Sequence, residues 1–181
     1  LIELLTGLTF VIITIKFYIL EKNTALTMLY LFYNLILLFT LFYDWFYMEI
    51  SDLILLPGIG IAIIASIFLK TPDFQNAIIG FIIPVGFFAL QILISNGKWL
   101  GGGDLRIGAF MGLILGWQKV LVALVLSYLI GALTMATLLY FKKATLKAAI
   151  PFGPFLVIAT YISIFFGQNL IDWYIALVML M

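Results

Sequence analysis

Apolar residues fill this chain in long blocks separated by short polar breaks. Crossing about 30 Å of hydrocarbon takes roughly 20 apolar residues in a helix. On that rule the pattern predicts seven membrane helices, over Leu4–Leu20, Ala25–Tyr43, Leu53–Leu69, Asn76–Ser95, Leu105–Gly116, Val120–Phe141 and Pro151–Phe166. A last apolar stretch, Leu170–Met181, is too short to count as a span by itself. The fifth run is also short and follows directly on Gly101-Gly102-Gly103-Asp104. The expected fold is therefore an all-α polytopic membrane protein: a bundle of about seven transmembrane helices, one of them a short helix after a GGGD loop. Residues 1–181 contain no linker, internal repeat or water-soluble domain and read as a single unit. The chain opens inside an apolar run without an initiator Met, so it is expected to be a piece of a longer protein.

Composition sharpens the picture. Apolar residues make up 66% and charged residues 9%, against about half and a quarter in a soluble domain. A water-soluble monomer is excluded, because so little polar surface cannot cover it. Disorder and nucleic-acid binding both need charge, and the net charge here is +1. The bilayer is the expected environment. With no His and no Cys, His-ligated metals, thiol nucleophiles and Ser-His triads are excluded too. Any chemistry must rest on Asp, Glu, Lys, Arg, Ser, Thr or Tyr.

Alternate loops divide the basic residues. Lys98, Arg106, Lys142, Lys143 and Lys147 fall in one set, and Lys22, Lys70 and Lys119 in the other. The positive-inside rule places the first set in the cytosol. Trp45, Trp99, Trp117 and Trp173 fall near predicted helix ends, where indoles favour the interface.

Only eight residues are acidic. Glu21 and Asp73 read as solvated loop charges beside Lys22 and Lys70, Asp172 reads as part of a helix start, and Glu3 carries no assignment. Asp44, Glu49, Asp52 and Asp104 lie on two loops that reach the same face. Asp52 and Asp104 each precede an apolar helix and could be N-caps. Asp44 has no such role: it sits where a helix ends, among Tyr43, Trp45, Phe46 and Tyr47, with no cation beside it. A helix C-terminus repels a carboxylate, so its pKa is expected to rise, whereas Asp104, at a helix N-terminus near Arg106, is expected to have a lowered one. Two carboxyls tuned apart on one membrane face form an acid–base pair, the signature of aspartic proteolysis. Gly101, Gly102 and Gly103 could let an extended peptide approach the backbone, or could simply form a turn. Ile150–Phe155, with Pro151, Gly153 and Pro154, is expected to line the cavity, because non-helical backbone at membrane depth persists only beside protein or water; a plain helix start explains Pro151 equally well.

The run Gly101-Gly102-Gly103-Asp104-Leu105-Arg106-Ile107-Gly108-Ala109, with Gly112 and Gly116, resembles the GxGD signature of the type IV prepilin peptidases. That family keeps a first Asp eight residues before a second in a D…IPD pattern, and Asp44 and Asp52 keep that spacing around Ile50 and Ser51. Leu1–Leu8 resembles the family's segment leading out of its cytosolic loop, and Ile150–Phe155 its proline-glycine motif. The resemblance implies an aspartic endopeptidase of the cytoplasmic (inner) membrane, its active site facing the cytosol, that cuts prepilins and pseudopilins after a glycine. It makes Asp44 and Asp104 the catalytic pair, leaves Asp52 structural, with Arg106 beside the site, and implies no cofactor or metal for cleavage. Ser51 stands where the family usually has Pro, Arg106 where Lys is commoner, and the loop after Asp44 is aromatic rather than basic. Bifunctional members also N-methylate the trimmed pilin through an upstream cysteine-bearing segment; S-adenosylmethionine would be a cofactor only with such a segment.

Two other classes use the same carboxylates. A small transporter would bind a cation between Asp44 and Asp104, and a metal-dependent membrane transferase would need a compact acidic cluster with a phosphate-holding basic set.

Overall fold

The computed structural model describes residues 2–142 and 150–179, and Lys143 and Lys147 of the expected cytosolic set lie outside them. Among the described residues, seven α-helices follow in order: α1 (Ile2–Thr14), continued by a π-helical turn (Ile15–Leu20), then α2 (Thr24–Tyr47), α3 (Asp52–Phe68), α4 (Phe74–Ser95), α5 (Gly102–Leu115), α6 (Trp117–Tyr140) and α7 (Gly153–Met179). Among the described residues, five stretches are long and apolar enough to cross a membrane: Ile2–Leu20, α2, α4, α6 and α7. The protein is an all-α, multi-pass membrane protein.

Local chemistry sets the helix starts. Asn23 accepts the Leu26 N–H at 3.1 Å and begins α2. Asp73 accepts the Asn76 N–H at 3.3 Å and begins α4, so it is a cap rather than the free loop charge expected. Neither Asp52 nor Asp104 is an N-cap, since Ser51 precedes α3 and Gly101 precedes α5. The final apolar stretch is no separate element. It continues the seventh run as the 27-residue α7, because the polar residues Gln168, Asn169 and Asp172 do not break a helix. Asp172 lies inside α7, where it accepts a hydrogen bond from Gln168 at 3.0 Å, and so starts nothing.

The centre of the bundle is α5. Its 14 residues reach only about 21 Å at 1.5 Å per residue, short of a membrane's hydrocarbon thickness. Every residue from Ile107 to Leu115 is buried. Three glycines at four-residue spacing put the backbone of α5 directly against α4. Gly108 faces Pro84 and Phe88, Gly112 meets the backbone of Gly80 and Phe81, and Gly116 lies on Asn76. Gly116, at φ 75° and ψ 173°, alone joins α5 to α6, and the Asn76 Oδ1 accepts the Trp117 N–H at 2.8 Å. This tight corner fixes α5, and with it the position of Asp104, against α4. On the other side α5 packs on α3, while α7 packs on α2, α5 and α6.

Candidate active site

The C-terminal ends of α2 and α4 and the N-terminal ends of α3, α5 and α7 meet at one end of the bundle. They enclose an open cavity of about 420 Å³ whose wall includes Asp44, Met48, Glu49, Ile50, Trp99, Gly101, Gly103, Asp104, Arg106, Ile150, Pro151 and Phe152.

Asp44 is 5% exposed. The helix runs one turn beyond it to Tyr47 and closes at Met48, whose left-handed backbone sends its N–H back to the Asp44 carbonyl. The carboxylate is held from across the bundle: Gly153, the first residue of α7, donates its N–H to Asp44 Oδ2 at 2.9 Å. A Cβ at position 153 would stand 2.5 Å from that oxygen. Thus Gly153 is needed for a close approach, although its φ is ordinary.

Asp104 sits in the first turn of α5 and accepts the Gly101 N–H at 3.2 Å. Burial pushes its pKa up to about 6; the Gly101 N–H pulls it back only in part, and the negative charge of Asp44 pushes it further up. This overturns the expected lowering. The helix terminus supplies one donor rather than several, and Arg106 turns away: its Nη1 lies 2.6 Å from Asp52 Oδ1. Both partners of that ion pair are nearly half exposed, at 42% and 46%. Asp52 accordingly lies beside the cavity rather than on its wall, while Arg106 contributes to both.

The glycines divide. Gly101 is extended, at φ −84° and ψ 158°, whereas Gly102 and Gly103 already belong to α5. The expected extended edge of three glycines therefore shrinks to one residue, because the helix begins at Gly102, three residues before the expected start at Leu105. Gly103 lies on the Ile50 side chain, Gly102 is exposed and off the wall, and Pro154 is buried in the first turn of α7. The expectation for the proline-glycine segment holds for Ile150, Pro151 and Phe152, which line the cavity, and for Gly153, which bonds Asp44.

Met48, Glu49, Ile50 and Trp99 carry no site assignment from the sequence, yet all four line the cavity. Proximity to Asp44 or to the glycine run was their only signal. Tyr128 of α6 carried none. Its ring packs 5.0 Å from Phe152, and its hydroxyl donates to Gln91 at 2.9 Å. Among the described residues, no group of three or more acidic side chains is arranged to hold a metal ion.

Residues 31–136 match the type IV leader peptidase family, and the stretch contains Asp44, Asp52 and Asp104. The chain belongs to this family. Among similar proteins of this family, the prepilin leader peptidase/N-methyltransferase of Pseudomonas putida is 31% identical over 125 residues, which is 67% of this chain and 43% of that protein. The protein of the same name from Legionella pneumophila is 36% identical over 89 residues, covering 49% of this chain and 31% of its own length. The one from Pseudomonas aeruginosa is 29% identical over 130 residues, covering 70% and 45%. The chain thus spans less than half the length of these curated relatives. No solved structure matches it. Gly153, which holds Asp44 in this leader peptidase family member, lies beyond the matched stretch.

Proposed function

We propose that the chain is a membrane aspartic endopeptidase acting on prepilins or pseudopilins, with Asp44 and Asp104 as its catalytic pair. One observation carries this reading: two carboxyls from α2 and α5 share the wall of one open cavity, close enough for the charge of one to raise the pKa of the other. Such a pair holds one proton between two acids at pH values up to about 6.

Asp104, with its raised pKa, carries that proton and donates it to the carbonyl oxygen of the scissile bond. Asp44, fixed by the Gly153 N–H, is ionised and takes a proton from water as the oxygen attacks the carbonyl carbon. Collapse of the tetrahedral intermediate breaks the C–N bond: the proton gained by Asp44 passes to the departing amine, and the proton on the former carbonyl oxygen returns to Asp104. This assignment departs from the lowering that the helix N-terminus suggested for Asp104, because burial and the charge of Asp44 outweigh a single N–H there. No cofactor takes part in these steps. The mouth of the cavity lies at the end bearing Lys98, Arg106 and Lys142, which the positive-inside rule places in the cytosol. Gly101, Gly103 and the Ile150–Phe152 segment would flank the bound peptide.

The relatives' names supply the substrate class, a prepilin leader; cleavage after a glycine rests on the family resemblance alone. Methyl transfer is not assigned to these residues. Incubating membranes carrying the chain with a prepilin and following the shortened product tests the reading. Asp44→Asn and Asp104→Asn should each abolish cleavage while the protein still inserts. Full activity in Asp104→Asn, or cation flux without cleavage in the unaltered protein, would reject it.

A further inference from the structure

At the opposite end of the bundle lies a second cavity, of about 260 Å³. That is below the roughly 300–1,000 Å³ of sites for drug-sized ligands, so it suits a compact group. Its wall brings together Lys16 from the π-helical turn after α1, Lys70 just after α3 and Lys119 in the first turn of α6. The three come from distant parts of the sequence, and tertiary packing alone makes them neighbours.

The three lysines reach the cavity by different routes. Lys16 Nζ donates to the Ile164 carbonyl at 2.6 Å and lies 5.5 Å and 5.3 Å from the ring centres of Phe17 and Phe165. An ammonium has three donors, so two remain. The stem of Lys119 runs over Gly167 of α7, where a Cβ would come within 3.1 Å of its Cγ. Lys70 has a left-handed backbone, φ 52°, which turns it away from the axis of α3. Against these three cations the cavity holds one carboxylate, Glu21. Among the described residues, the one ion pair within 4.0 Å is Arg106–Asp52, far from this cavity, so none of the three lysines is paired at that distance. The Thr71 hydroxyl, on the same wall, has no hydrogen-bond partner among the described residues. Gathering like charges in a partly dehydrated site is costly unless an anion offsets them. Widened π-helical turns frequently mark functional sites.

We propose that the Lys16–Lys70–Lys119 cavity binds a phosphate-bearing anion, its phosphate oxygens accepting from the three ammoniums and from the Thr71 hydroxyl. The chemistry is common to a phospholipid head group and to free phosphate. This site is independent of the peptidase reading, since it shares no residue with the acidic cavity.

The test is thermal unfolding of the purified chain in uncharged detergent, titrated separately with short-chain phosphatidylglycerol, short-chain phosphatidylcholine and inorganic phosphate. The unaltered protein should show a saturable rise in melting temperature with phosphatidylglycerol and none with phosphatidylcholine. A rise with inorganic phosphate as well, or instead, also supports the site and identifies free phosphate as a source. The exposed Lys70→Gln variant should need about tenfold more ligand for the same rise, the loss expected for one charge-assisted hydrogen bond. Lys22→Gln, on the same end but off the cavity wall, should leave the titration unchanged. Should Lys70→Gln fail to fold, Lys70→Arg and Lys119→Arg keep the charge and should retain the response. No rise with either anion, or the same half-saturation in Lys70→Gln as in the unaltered protein, overturns the proposal.

Discussion

Gly153 donates its backbone N–H to Asp44 across 2.9 Å, joining the first residue of α7 to the last full turn of α2. The hydrogen bond and the missing side chain act together: a Cβ there would meet both Oδ2 and Cγ of Asp44, at 2.5 Å and 3.0 Å. Asp44 belongs to a helix that could not place a donor of its own against this oxygen, so the bond is the product of the helix pairing.

Gly153→Ala should therefore push the Asp44 carboxylate out of position. A displacement of about 1 Å at a reacting group costs on the order of 100-fold in rate. Prepilin cleavage by this variant is expected to fall by about that factor while its melting temperature changes by only a few degrees. Undiminished cleavage would show that the Gly153 bond does not position the acid.

Asp52 behaves differently from its two neighbours. Its ion pair with Arg106 is nearly half exposed on both sides, and such pairs contribute about 0–1 kcal/mol. Asp52→Asn should keep cleavage within about fivefold of the unaltered protein, in contrast to Asp44→Asn and Asp104→Asn. Rates for the three variants side by side check the division.

Asp104 makes stability depend on pH in a direction opposite to that of a salt-bridged carboxylate. Its folded pKa, about 6, lies above the ordinary 3.8. The folded state therefore holds the proton more tightly than the unfolded one, and stability falls as pH rises from about 4 through about 6. Asp104→Asn should accordingly melt higher than the unaltered protein at pH 8 but not at pH 4. Cleavage should lose rate on the alkaline side with an apparent pKa near 6, which a pH profile of kcat/KM would report.

The contact between α4 and α5 should be as demanding as the site it supports. Gly112 lies against the backbone of Gly80, so any side chain must force the two helices apart. Gly112→Ala is expected to destabilise the protein by about 1–3 kcal/mol and to lower cleavage as well, because α5 carries Asp104. Melting temperature and cleavage measured together would show the coupled loss.

The number and order of the helices were legible in the sequence because burial in lipid demands long apolar runs, and Gly153–Met179 joined two such runs only because nothing between them stops a helix. The acidic pair was legible as well, since Asp44 has neither a cap nor a cation to explain it. The tuning of the pair was not. Whether Asp104 gains or loses its proton depends on how deeply α5 sinks between its neighbours and on Arg106 turning to Asp52, and neither is written in local spacing.

Chain order thus determined which segments are helices, which end of each bears an acid, and that Asp44 and Asp104 reach the same end of the bundle. Tertiary structure decided which atoms meet: Gly153 on Asp44, Gly112 on Gly80, and three lysines around one cavity. The physical reason is range. Hydrophobic periodicity acts within a helix, whereas hydrogen bonds, backbone contact and desolvation depend on neighbours that only packing supplies.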